Sequence, residues 1–177
     1  MSVGKPEWAG QRATETDYEL DWPMGPNLGS APATWRRGRL WLGDGSREGL
    51  PLSVWQAYQQ ALEAAVTQAE ITDPPGRRSV IRGLVAGGID QVERIWIAWP
   101  VGPAPDGPRL RWAELVCLPD AAGGDAQRRV LLRDGPAATL DAPVPYWRTY
   151  CDALAETLTA LEALVAETEA HAHAGTD

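Results

Sequence analysis

The segment QVERIWIAWPVGPAPDGPRLRWAELVCL, residues 91–118, decides how this chain folds. Gln91 to Trp99 alternates apolar and polar residues, and so does Arg109 to Leu118. Alternation with period two places successive side chains on opposite faces of a strand. Between the runs, Asp106-Gly107 is a turn signal inside a proline-rich connection. The two runs are therefore expected to pair as an antiparallel hairpin. Arg128 to Arg133 reads as another short strand, ending at Asp134-Gly135, which extends the hairpin to a meander.

Working outward, Trp35 to Leu42 also alternates and reads as one strand, with Trp35, Arg37, Arg39 and Trp41 on one face. Arg78 to Ala86 fits a helical face through Val80, Ile81, Leu84 and Val85, but its β-branched content favours a strand. These segments add up to one antiparallel sheet of four or five strands.

Two helices stand out. Ser53 is expected as an N-cap with Gln56 three residues on and Leu52 before it. Trp55, Tyr58, Leu62, Ala65 and Ala69 then recur at helical spacing to about Glu70. From about Val144 to His171, the residues Trp147, Cys151, Leu154, Leu158, Leu161 and Val165 step by alternating fours and threes, an apolar seam along one long helix. Either the seam packs on the sheet of its own domain, or it mates with a partner helix. The second option leaves room for a homo-oligomer formed through this helix. The fold class is α+β: an antiparallel sheet, one mid-chain helix and one long C-terminal amphipathic helix.

Residues 1–34 lack a sustained period and hold Pro6, Pro23, Pro26 and Pro32, so they are expected as an extended N-terminal arm with little regular structure. Trp8, Tyr18, Leu20 and Trp22 are its candidate anchors, either on its own domain or on a partner. Residues 35–170 are read as the single α+β domain and 171–177 as a flexible tail.

The net charge of −8 is made at the two ends. The N-terminal 35 residues carry Glu7, Glu15, Asp17, Glu19 and Asp21 against Lys5 and Arg12, and the acids from Asp152 to Asp177 face no base. The middle is near neutral and arginine-rich. A mainly acidic chain repels phosphate backbones, which disfavours nucleic acid as a partner. No apolar run approaches the roughly 20 residues that span a bilayer, so no membrane is implied and a cytoplasmic location is expected. Cys117 and Cys151 have no metal-binding spacing and are expected as reduced, buried thiols.

Signals for catalysis are sparse. The histidines, His171 and His173, both lie near the C-terminus, so a Ser-His-Asp or Cys-His arrangement has no core imidazole to use. The two would point about 200° apart on a helix, which suits no chelate, and neither metal nor cofactor is expected. Gly43 to Gly49 has the glycines of a phosphate-binding loop but lacks its Gly-Lys-Ser/Thr ending. Short-range carboxylate pairs such as Asp44 with Glu48 and Asp90 with Glu93 carry no mark of an acid–base site, and no catalytic residue is assigned.

The remaining candidate is an arginine and tryptophan surface: Trp35, Arg37, Arg39 and Trp41, joined by Arg94, Trp96, Arg109 and Arg111 if the strands are neighbours. Guanidinium forks bind carboxylates and phosphates, and indole faces stack. Nine tryptophans without a phenylalanine, together with the acidic ends, favour a non-enzymatic protein-interaction module, either an accessory subunit or a small acidic inhibitor of the immunity-protein kind. Its partner-helix seam would be Trp147, Leu154, Leu158, Leu161 and Val165. The alternative is a domain that binds a nucleotide or another anionic ligand on the arginine and tryptophan face, with or without enzymatic activity.

Overall fold

A computed structural model describes residues 12–14, 17–26, 28–43, 49–71, 77–85, 88–118, 127–134 and 138–174. The chain runs β1 (Arg12–Thr14), β2 (Asp17–Pro23), β3 (Ser30–Arg36), β4 (Arg39–Leu42), β5 (Leu50–Pro51) and α1 (Leu52–Glu70). It continues β6 (Arg77–Val85), β7 (Gly88–Gly102), β8 (Arg109–Leu118), β9 (Gln127–Asp134), β10 (Ala138–Pro143) and α2 (Val144–Ala174). Among the described residues these form two five-stranded antiparallel meanders, β1 to β5 and β6 to β10, and each is followed by a helix. The α+β class, the hairpin of 91–118, both helices and the strand at 78–86 agree with the sequence reading. The second sheet does not.

Three local differences explain it. Trp35–Leu42 is a hairpin rather than one strand: Arg37 and Gly38 both adopt positive φ, 53° and 74°, as a two-residue turn matched to strand twist needs. Alternation survives such a turn, so the pattern hides it. Second, Asp17–Pro23 and Ser30–Arg36, which cover much of the expected arm, are paired strands with Tyr18, Leu20 and Trp22 buried. Their prolines lie at Pro23, where β2 ends, and at Pro32. Third, Ser53 is not the N-cap. Pro51, extended at φ −67° and ψ 158°, leads β5 straight into α1, and no side chain caps it.

The two halves repeat one another in register. In the first sheet Tyr18, Trp35, Leu40 and Leu50 form a cross-strand row, with Leu20 opposite Ala33. In the second, Ile95, Leu115, Val130 and Ala142 form the same row, with Ile97 opposite Ala113. Trp22-Pro23-Met24-Gly25-Pro26 leaves β2 as Trp99-Pro100-Val101-Gly102-Pro103 leaves β7. Arg39 faces Pro51 as Arg129 faces Pro143. In both helices the fourth residue is Trp, the seventh Tyr and the eleventh Leu: Trp55, Tyr58 and Leu62 in α1, Trp147, Tyr150 and Leu154 in α2.

The helices pack as a two-fold relation requires, equivalent residues meeting near the axis and unlike pairs recurring reciprocally. Tyr58 Oη lies 3.5 Å from Tyr150 Oη, and the Gln59 amide donates to Cys151 Sγ at 3.8 Å; each pair is separated by 92 residues. Away from the axis, Gln56 donates to Glu162, and its equivalent Arg148 donates to Glu70. Arg148 also donates through Nη1 to both oxygens of Glu63 at 2.8 Å, and the Cys151 thiol donates to Glu63 Oε2 at 3.1 Å. The Arg148 hydrogen bonds, with that of Cys151, hold the Glu63 carboxyl below its ordinary range. Burial, reinforced by Glu63, pushes the Cys151 thiol up to about 12.

Aromatic rings connect these layers. Trp22 meets Trp55 edge to face at 4.8 Å and Trp55 meets Tyr58 at 6.0 Å. Trp99 meets Trp147 at 5.0 Å and Trp147 meets Tyr150 at 6.1 Å. The indole N–H groups of these four tryptophans are buried without an oxygen or nitrogen partner, and edge-to-face packing is the setting in which a ring cloud receives such a donor. One apolar cluster holds residues of both sheets and both helices. The halves diverge at the helix ends. Arg128 of β9 donates to the carbonyls of Ala69 and Ile71 where α1 stops, whereas α2 runs on to Ala174, and Thr168 on that extension bonds Tyr18 of β2.

Leu62 and Leu154 are each 0% exposed at matched positions, so Leu62→Ala and Leu154→Ala should each cost about 2–5 kcal/mol in urea unfolding. Glu63 has its pKa lowered on folding, so its contribution is complete above about 4.5 and is lost as pH falls through the folded value. Arg148→Met should cost about 1 kcal/mol at pH 7, given the partly exposed carboxylate, and should flatten the loss of stability as pH falls below about 4.5. Urea midpoints against pH measure both effects.

Candidate functional site

The eight residues expected to form one arginine and tryptophan surface are divided between two sheets. Trp35 is a core residue, 6% exposed, in the row with Tyr18 and Leu40. Arg37 sits in the β3–β4 turn. Arg39 and Trp41 lie on the opposite side of the first sheet from Trp35, since Arg39 pairs with Arg36 and Trp41 with Thr34. There the Arg36 guanidinium stands 5.4 Å above the Trp41 ring, and Arg39 Nη1 donates to the Gly49 carbonyl at 2.8 Å. Gly49 is needed at this point: a Cβ on it would stand 2.4 Å from the Trp41 ring. Trp41 is thus fastened beneath arginine and against the main chain rather than held open for stacking.

Arg94, Trp96, Arg109 and Arg111 belong to the second sheet, on β7 and β8. The Arg94 side chain lies outside the described residues, as do the side chains of Asp90, Glu93 and Cys117 and the whole of Asp44 to Glu48. Trp96 is half-buried opposite Glu114. Arg109 and Arg111 are exposed at the start of β8, two residues apart and so on one face, with Arg111 opposite the buried Trp99. The apolar seam of α2 faces inward: Trp147, Leu154, Leu158 and Leu161 are buried in the common core and Val165 packs against it. No apolar seam is therefore left on α2 for a partner helix. The acids Asp152, Glu156, Glu162, Glu167 and Glu169 remain exposed along the helix.

Two features were missed in the sequence. The first is a surface. Leu110 and Trp112 alternate with the two arginines on β8 and so occupy its outer face, 59% and 68% exposed. β8 is the middle strand of its sheet, and Ala98, exposed, lies directly opposite Trp112. Half-buried Trp96 and Leu131 flank Glu114 in the next row. Exposed Leu110 and Trp112 at the start of β8, where among the described residues the strand is paired with β7 alone, form an apolar pair that departs from ordinary surface composition. The strict alternation of Arg109 to Leu118 was the available signal, because it leaves Trp112 opposite in sense to Ala113 and Leu115.

The second is a cavity of about 240 Å³ between the halves, where the β2–β3 loop meets the start of β8 and the first turns of the helices. Arg109 and Arg111 line it together with Tyr58, Tyr150, Trp147 and Leu132. Burial pushes both tyrosine hydroxyls upward in pKa, so they stay protonated as donors; Arg109 works weakly against this at Tyr58. A broader groove of about 640 Å³ adjoins it, sharing Gly25, Pro26 and Tyr150 and bounded by Asp21 and Tyr146.

Among the described residues no group of three or more His, Cys, Asp or Glu side chains is placed to hold a metal ion, and no helix is long and apolar enough to cross a membrane. His171 Nδ1 bonds the Glu167 carbonyl at 2.8 Å on the exposed end of α2. No protein-family model, curated protein or solved structure matches the chain.

Proposed function

We propose that this chain is a non-enzymatic protein-interaction module whose partner docks on the outer face of the second sheet. The observation that carries the reading is the exposure of Leu110 and Trp112 on that face, at the start of β8. The repeat supplies an internal comparison. In the first sheet the register-equivalent positions hold Ser30 for Leu110, Pro32 for Trp112, Asp21 for Ala98 and Glu19 for Trp96. The same fold therefore forms with a polar face there, and the apolar character of the second sheet serves something other than folding.

The occupant is a different protein with apolar anchors and a basic surround. A chain with net charge −8 and a line of exposed acids on α2 repels its own copies and draws a cationic surface. Trp112 supplies the large, rigid anchor typical of interface hot spots, and the acids set approach and orientation more than affinity. An acidic accessory subunit or inhibitor acts in this way, by covering a basic surface of its target.

The test begins with capture of a binding protein from the source cells, followed by calorimetry with that protein purified. Trp112→Ser with Leu110→Ser should weaken binding by about thirtyfold or more while leaving the thermal midpoint within a degree or two, since both side chains are already in water. Pro32→Ala, the equivalent position of the first sheet, should leave affinity unchanged. Undiminished binding by the double variant would overturn the reading, and so would concentration-dependent self-association that the double variant abolishes.

A further inference from the structure

We infer that the cavity between the two halves binds a small amphipathic anion: one aromatic ring or short acyl chain carrying a single carboxylate. Its opening and its interior differ in chemistry. Arg109 and Arg111 stand at the exposed start of β8, and both face the cavity because they alternate with Leu110 and Trp112. Behind them the walls are Leu132, Leu140 and Trp147, and the Tyr58 and Tyr150 hydroxyls meet there at 3.5 Å. Two guanidiniums and a pair of phenol hydroxyls, one of which is left to donate, beside apolar walls provide for an acidic head on an apolar body.

Local backbone chemistry prepares the arginine end. Arg109 pairs with Gly102 across the β7–β8 ladder, and a Cβ at Gly102 would come within 2.8 Å of Arg109 Nη2. The missing side chain is what lets the guanidinium lie over β7. The repeat again separates fold from function: the register position of Arg111 is held in the first sheet by Ala31, opposite Trp22 as Arg111 is opposite Trp99. The adjoining groove carries Asp21, so the charged head of a ligand belongs at the β8 end.

Size sets the ligand class. At about 240 Å³ the cavity lies below the roughly 300–1,000 Å³ of pockets for drug-sized molecules, which favours a ligand smaller than a nucleotide. It is a different surface, and a smaller molecule, from the arginine site for anions read from the sequence. This inference stands apart from the docking reading, because Trp112 lies on the other face of the strand.

The probes are phenylacetate and hexanoate, with phenylacetamide and inorganic phosphate as controls, titrated into the full chain by calorimetry and by fluorescence of the cavity-lining Trp147. Either acid should bind saturably with a dissociation constant below about 1 mM. Phenylacetamide should bind at least tenfold more weakly, and phosphate no better than the amide. Arg109→Gln and Gly102→Ala should each weaken the acid at least tenfold, while Trp112→Ser should not change it. Should Arg109→Gln fail to fold by circular dichroism, Arg111→Gln carries the same expectation. Absence of saturation by both acids at about 10 mM, equal binding of the amide, equal binding of phosphate, or unchanged affinity in the folded arginine and glycine variants would each overturn the inference.

Discussion

A row of edge-to-face rings, Trp22, Trp55, Tyr58, Tyr150, Trp147 and Trp99, crosses the molecule from one sheet through both helices to the other. Each large ring brings an apolar area that no aliphatic side chain equals, and each edge-to-face contact adds about 0.5–1.5 kcal/mol beyond that burial. The geometry is directional, so it fixes how the helices turn as well as how closely they approach. It also answers for much of the tryptophan content: Trp22, Trp35, Trp55, Trp99 and Trp147 are core residues rather than a binding surface. The buried indole N–H groups of Trp22, Trp55, Trp99 and Trp147 have no oxygen or nitrogen partner, and each of these rings packs edge to face on a neighbour.

The repeat turns one chain into its own control. Positions identical or equivalent in both halves, such as Ala33 and Ala113, Arg39 and Arg129, or Leu62 and Leu154, lie where the meander and its helix need them. Positions that differ have been released from that need. Leu110, Trp112 and Arg111 fall in the second class, and all three lie on one strand within three residues. The long tail of α2 is a further difference. Where Arg128 satisfies the carbonyls that end α1, α2 continues and secures β2 through Thr168.

The sequence revealed local structure better than arrangement. The α2 seam is legible because five apolar residues recur at one spacing and are all packed inward, and the 91–118 hairpin because both strands alternate about a Gly-bearing turn. The β3–β4 hairpin is not legible in the same way: Gly38 supplies one of the two positive-φ turn residues, but the other is Arg37, a residue type that does not announce it, and alternation continues on either side. The repeat escapes notice because its shared residues are few and its loops differ in length, so the spacing is constant only from Pro51 and Pro143 into the helices. Of the eight arginine and tryptophan residues grouped from the sequence, Arg109 and Arg111 share one face of β8, whereas the rest are divided between two sheets. Strand faces can be read from sequence, whereas which strands become neighbours depends on pairings made far along the chain.

That β8 has two chemically different faces follows from the pleat. Successive residues point to opposite faces, so Arg109 and Arg111 look into the cavity while Leu110 and Trp112 look outward, and neither pair can be moved along the strand without exchanging roles. The strand is third of five in its sheet, paired with β7 from Arg109 onward and with β9 from Glu114 onward. A ligand on the inner face and a protein on the outer face would meet the same backbone, and influence between them would have to pass through a small shift of β8 against its neighbours rather than through a mobile loop.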